Sequence, residues 1–86
     1  MSGAPDREFV LLGRPMCDLC EELAAQLDTL RPKLRFGYRH LDVDSSEALA
    51  ARYGARVPVL LDGEIEICTG PITTPALEAA LRSHGL

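Results

Sequence analysis

Arg14-Pro15-Met16-Cys17-Asp18-Leu19-Cys20-Glu21-Glu22-Leu23 is the stretch whose setting decides the fold. Two cysteines, two residues apart, stand between an apolar run and a segment with helical spacing. Upstream, Phe9-Val10-Leu11-Leu12 is closed by Gly13 and Pro15, and its length suits a strand buried on both faces better than a helix. Downstream, Leu19, Leu23, Leu27 and Leu30 recur at spacings of four, four and three, the apolar stripe of an amphipathic helix. Asp18, Glu21 and Glu22 crowd its first turns, where carboxylates favour the positive end of the helix dipole, and Pro32 predicts that it stops soon after Leu30. The cysteine pair therefore lies at a helix N-terminus directly after a strand.

The rest of the chain extends this pattern. Leu34 to Val43 alternates Leu34, Phe36 and Tyr38 against Arg35 and Arg39, which predicts a strand at a sheet edge. Arg31, Lys33, Arg35 and Arg39 form a basic stretch that reads as charged edge protection in preference to a dock for an acidic group. Asp44 and Glu47 have capping-box spacing ahead of a short helix, Ala48 to Tyr53, ended by Gly54. Val57 to Leu61, Asp62-Gly63 and Glu64 to Cys68 form a hairpin signal, with Ile65 and Ile67 on one face and Glu64, Glu66 and Cys68 on the other. Thr74-Pro75 reads as N-cap and first residue of a last helix that runs to Ser83 and ends at Gly85. The order βαβα then ββα predicts helices on both faces of a mixed four-stranded sheet.

Composition narrows the function classes. Eighty-six residues suit one domain, expected from Asp6 to Leu86 after a frayed tail over residues 1–5. Hydrophobic residues at 47% and charged residues at 26% match globular averages and argue against a disordered tail. A net charge of −4 gains nothing from phosphate contacts, so nucleic acid is not an expected partner. Phe9 to Leu12 and Val57 to Leu61 fall far short of the roughly 20 apolar residues that span a bilayer. No basic-then-apolar leader is visible at the start, and position 2 is Ser. Three cysteines do not make an even disulfide framework, which predicts a reducing cytoplasm, where a closely spaced pair is more often redox-active or metal-binding than structural.

The thiolate, not the thiol, attacks a disulfide, and an ordinary thiol of pKa about 8.5 is only about 3% ionised at pH 7. Helix N–H groups and the dipole favour the anion at Cys17, as would Arg14, whereas the charge of Asp18 would oppose it. Cys20, one turn further in, is placed to resolve a mixed disulfide formed on Cys17.

Arg14-Pro15-Met16-Cys17-Asp18-Leu19-Cys20 resembles the Lys-Pro-x-Cys-Pro-Tyr-Cys segment of glutaredoxins. Arg56-Val57-Pro58 followed by Asp62-Gly63 resembles their Thr-Val-Pro and Asp-Gly hairpin. The resemblance covers about residues 7 to 84 and is closest to the bacterial glutaredoxin-like proteins, whose Cys-x-x-Cys often lacks the central proline. It implies an α/β thioredoxin-like fold of the glutaredoxin type, with strand order 2-1-3-4 and three helices. It also implies Cys17 as nucleophile, Cys20 as resolving thiol and a cis bond at Val57-Pro58 that sets the Val57 backbone beside Cys17 to pair with an extended substrate. Pro58 taken alone reads as a trans, edge-strand proline.

Glutaredoxins grip glutathione with Gly-Gly and an acidic residue near the last helix, whereas Thr69-Gly70-Pro71-Ile72-Thr73-Thr74 offers one matching glycine, Gly70, and no carboxylate. Thr73 or Thr74 can still present a hydroxyl and an N–H to a carboxylate, although an ordinary cap explains Thr74. Leu19 also replaces an aromatic residue. No cofactor is expected to bind tightly, and glutathione stays only as a doubtful reductant beside a thioredoxin-type donor.

The expected activity is thiol–disulfide exchange on protein or low-molecular-weight disulfides by a monomer. The alternatives are a peptide-binding or redox-sensing adaptor and, further off, a metal or iron–sulfur carrier. Cys17, Cys20, Cys68 and a histidine lack the paired spacing of known metal sites, so no metal ligands are expected. Cys68 reads as a passive half-buried residue, and His40 and His84 as surface residues.

Overall fold

A computed structural model describes residues 7–86; the tail expected over residues 1–5 lies outside the described residues. The elements are β1 (Arg7–Gly13), α1 (Asp18–Leu34), β2 (Phe36–Asp42), a 3-10 turn (Val43–Ser45), α2 (Glu47–Tyr53), β3 (Val59–Asp62), β4 (Ile65–Thr69) and α3 (Thr74–Ser83). They build one sheet in the order β2-β1-β3-β4, with β2 parallel to β1, and β3 antiparallel to both β1 and β4. This is the mixed 2-1-3-4 sheet with three helices that the resemblance implies, with β2 on an edge.

The apolar run of β1 divides between the two faces because successive side chains alternate. Phe9 and Leu11 join Leu60 of β3 under the stripe of α1, Leu23, Leu27 and Leu30, and under Leu77 and Leu81 of α3. Leu12 joins Val59, Leu61, Val43 and Tyr53 on the other face, beneath α2. Each fully buried leucine of this kind contributes about 1.5–3 kcal/mol, so the central strands β1 and β3 anchor both cores.

Several element ends differ from expectation. Helix α1 continues past Pro32 to Leu34, because a proline one turn from the C-terminus removes only one hydrogen bond and Leu34 packs against the main core. Arg35 closes it in a left-handed conformation, its N–H donating to the Arg31 carbonyl at 2.8 Å, so Leu34 and Arg35 are not strand residues. The cap of α2 is Ser46, whose Oγ accepts from the Leu49 N–H at 3.2 Å, whereas Asp44 is drawn away to Arg14. The cap of α3 is Thr73, one residue before the expected Thr74, and it accepts from the Ala76 N–H at 3.2 Å.

The β3–β4 hairpin turns through Gly63 and Glu64, with Asp62 and Ile65 paired; Gly63 at φ +62 supplies the positive first angle that a II′-type turn demands. A register shift at Leu60/Leu61 breaks the expected alternation of β4: Leu60 faces Cys68 and Leu61 faces Glu66. Ile67 and Cys68 consequently both pack against the main core, while Ile65 is 57% exposed.

Candidate active site

Four chain segments meet at one end of the sheet. The carboxyl end of β1 leads into Cys17, and the antiparallel pairing of Leu12 with Val59 and of Val59 with Thr69 brings the start of β3 and the end of β4 to the same side. Cys17 is the N-cap of α1: its backbone is extended, its Sγ accepts from the Cys20 N–H at 3.3 Å, and its carbonyl accepts from the Glu21 N–H at 3.1 Å. A sulfur thus takes the place usually held by a serine or aspartate oxygen, where helix N–H groups and the dipole stabilise negative charge. Cys17 and Cys20 are joined as a disulfide with Cα atoms 5.2 Å apart. Cys17 is half-buried and Cys20 is 8% exposed, so the outer sulfur is the one open to approach.

Gly13 makes room for this arrangement. A Cβ at that position would lie 3.1 Å from Cys20 Sγ and 3.3 Å from its Cβ, closer than side chains ordinarily pack. Val57-Pro58 is a cis bond, as the resemblance implies, and so is Gly70-Pro71, which no sequence signal announces. Pro58 is buried and Val57 half-buried. Gly70 donates its N–H to the Pro58 carbonyl at 3.1 Å, and a Cβ on Gly70 would stand 2.8 Å from Pro58 Cγ and 3.9 Å from the Leu19 carbonyl oxygen. The structure therefore holds Gly70 directly against Pro58, on the side where the Leu19 carbonyl of the Cys-x-x-Cys helix lies.

The two threonines are occupied within the fold. Thr73 caps α3, and Thr74 Oγ1 accepts from Gln26 Nε2 at 3.2 Å, with the same Nε2 donating to the Ile72 carbonyl at 2.7 Å. Gln26, on the polar side of α1, ties the loop after β4 to the cysteine helix; its place in the helical repeat carried no signal of that contact. Pro75 has no N–H, and the Ala76 and Leu77 N–H groups go to Thr73 Oγ1 and the Thr73 carbonyl, so the start of α3 has few donors left for an anion.

Arg14 donates to Asp44 through Nε at 2.9 Å and Nη2 at 3.3 Å, and to the Gly54 carbonyl at 2.6 Å. Its guanidinium holds the Asp44 carboxyl below the usual carboxylate range and is itself held more firmly protonated. In the same way Arg56, before Val57, is paired to Glu66 at 2.7 Å and lowers that carboxyl. Both basic side chains that flank the site loops thus carry acidic partners. Beside Cys20 a cleft of about 280 Å³ opens between α1 and the β1–β2 edge, walled by Leu11, Ala24 and Leu41 and rimmed by Glu21, His40 and Asp42.

Cys68 is a free, half-buried thiol, and burial pushes it up to about 11. Met16, immediately before Cys17, is 98% exposed and has a left-handed backbone at φ +58. Among the described residues no three of His, Cys, Asp and Glu gather as metal ligands, and no helix is long and apolar enough to cross a membrane.

Comparison with known proteins agrees with this geometry. The family description "Glutaredoxin-like domain (DUF836)" matches residues 8–82. Among solved structures the chain is similar to Ne2328 from Nitrosomonas europaea, with 35% identity and a TM-score of 0.74 over 87% of this chain and 89% of that one. It is also similar to the structural-genomics protein XcR50 from X. campestris, with 33% identity and a TM-score of 0.71 over 87% and 96%. Thioredoxin 1 from Thermosipho africanus shares the fold at 17% identity and a TM-score of 0.55, over 92% of this chain and 99% of that one. No curated protein matches. From the β1–Cys17–α1 junction to α3, the chain belongs to the glutaredoxin-like domain family, on a thioredoxin fold.

Proposed function

We propose that this protein is a thiol–disulfide oxidoreductase in which Cys17 attacks and Cys20 resolves. The observation that carries this reading is the sulfur of Cys17 at the N-cap of α1, within reach of the Cys20 N–H and joined to Cys20. In the reduced protein the Cys17 thiolate attacks one sulfur of a substrate disulfide; the new bond joins Cys17 to that sulfur, and the other substrate sulfur leaves as a thiolate. Cys20, once deprotonated, attacks Cys17 Sγ, expels the second substrate thiolate and closes the Cys17–Cys20 disulfide. The substrate gains two electrons and the protein loses them. An external thioredoxin-type protein or thiol such as glutathione returns two electrons in a reducing compartment, which places the chain in cellular thiol homeostasis.

Val57, next to Pro58, supplies backbone groups for pairing with an extended substrate, and Gly70 fixes the Pro58 loop through its N–H bond to the Pro58 carbonyl. Arg14 serves by fixing the loop before Cys17 through Asp44 and Gly54. Thr73 and Thr74 hold the loop after β4. The reading is tested by measuring disulfide reduction by the native protein, Cys17→Ser and Cys20→Ser. Turnover lost in Cys17→Ser, with a mixed disulfide trapped on Cys17 in Cys20→Ser and seen by mass spectrometry, supports it. Full turnover in Cys17→Ser would overturn the assignment, and no exchange in the native protein would favour a peptide-binding adaptor.

A further inference from the structure

Three observations around Cys17 bear on what its substrate is. The first is Met16, a large apolar side chain 98% exposed and held in the left-handed region, where residues with a Cβ are strained. A backbone strain that presents an apolar side chain to water beside a reactive sulfur points to use by a ligand, since burial within the fold gains nothing from it. The second is that Leu19, between the two cysteines in sequence, is 39% exposed, and that Pro71 is exposed directly after Gly70, whose N–H is bonded to the Pro58 carbonyl. The third is charge. Asp18, Glu21 and Glu22 are exposed and form no ion pair among the described residues, whereas Arg14 and Arg56 are neutralised by Asp44 and Glu66.

Glutathione carries two carboxylates and one ammonium and offers little apolar surface, so it matches neither the apolar collar nor the acidic rim. We infer that the substrate is an extended protein segment whose cysteine is flanked by apolar residues and accompanied by Lys or Arg. The apolar neighbours cover Met16 and Leu19, and the cations meet Asp18, Glu21 and Glu22. This inference rests on the oxidoreductase reading, because it names the substrate of the same sulfur.

The experiment uses pentapeptides with a central cysteine in mixed disulfide with thionitrobenzoate. One has Leu and Phe flanks with terminal lysines, one has Ser flanks with terminal glutamates, and the glutathione mixed disulfide is the third. Attack by Cys17 on the peptide sulfur releases the coloured thionitrobenzoate, the better leaving group, and leaves the peptide on Cys17. In the reduced native protein the second-order rate constant is expected to be at least about tenfold higher for the apolar, basic peptide than for either other substrate, with the preference shrinking as salt is added. Met16→Ser, at a side chain with no packing partner to lose, is expected to cut that preference about fivefold, the effect of half-burying one methionine side chain. Equal rate constants for the three substrates, or an unaltered preference in Met16→Ser, would overturn the inference while leaving the exchange activity in place. Release no faster than that by a free alkyl thiol for all three would instead overturn the oxidoreductase reading itself.

Discussion

Gly70→Ala tests whether the loop after β4 supports the cysteine site by contact. The added Cβ would lie 2.8 Å from Pro58 Cγ, where ordinary contact begins at 3.4 Å, so the two must part by about 0.6 Å. Little can yield: Pro58 is buried with a closed ring, and the Leu19 carbonyl oxygen lies 3.9 Å from the same point. Overpacking of this kind costs about 1–3 kcal/mol, which in a domain of this size lowers the Tm by roughly 5–20 °C. Displacing the Pro58 loop by a large fraction of an ångström should also slow exchange at Cys17 roughly tenfold. Gly63→Ala is the control, because its Cβ would meet nothing within 4 Å but would sit at φ +62, with a conformational cost of about 1–2 kcal/mol far from the cysteines. Thermal unfolding by circular dichroism and disulfide-exchange rates below the transition read the two effects separately. Both variants should lose stability and only Gly70→Ala should lose rate. A Gly70→Ala protein with native Tm and native exchange would refute the proposed support of Pro58 by Gly70.

Other outcomes follow from the same structure. Cys17→Ser should abolish exchange yet keep the stability of the reduced protein within about 0.5 kcal/mol, since serine caps a helix at least as well as cysteine; denaturant unfolding under reducing conditions checks this. Iodoacetamide at pH 8 should label Cys17 of the reduced protein well before Cys68, whose thiol is pushed up to about 11 by burial, and peptide mass mapping reads the order. Asp44, Glu66 and Glu78 are held below their usual range by arginine partners, Lys33 assisting at Glu78. Their contribution to stability is complete above the unfolded carboxylate range near pH 4 and is lost as pH falls through the folded values. At the alkaline end the Cys68 thiol and the Tyr38 hydroxyl, raised to about 11 and about 12, stay neutral in the fold while the unfolded chain ionises. Stability should therefore decline from about pH 9 upward, and Cys68→Ala should remove the earlier part of that decline in a pH series of unfolding curves.

The parts of the fold that were legible in the sequence are those set by pattern over several residues. The Phe9 to Leu12 run, the leucine stripe of α1 and the Val57 to Cys68 hairpin, whose turn falls on Gly63-Glu64, one residue past the expected Asp62-Gly63, each place buried side chains that the two cores use. The Cys17–Cys20 pair at a helix start was equally legible, because strand end, spacing and acidic first turn agree. What escaped is set by competition among neighbours. Asp44 has the composition of a cap but binds Arg14, thirty residues away in sequence, leaving Ser46 to cap α2. Cys68 alternates with Ile67 on paper, yet a register shift in β4 turns both toward the core. Pro32 forbids a helix interior in isolation, but near a C-terminus with Leu34 to bury it is tolerated. The exposed, left-handed Met16 and the Gln26 bridge to Thr74 depend on loop geometry that no periodicity encodes.

The activation of Cys17 by its place at the start of α1 is tested most directly by titrating thiolate absorbance in the reduced Cys20→Ser protein, with the Cys17→Ser/Cys20→Ser double variant subtracted to remove Cys68. The Cys17 transition should lie clearly below the ordinary thiol value of about 8.5, and the reactivity toward a small disulfide should follow the same curve. A Cys17 that ionises at or above that ordinary value, with reactivity independent of the transition, would contradict it.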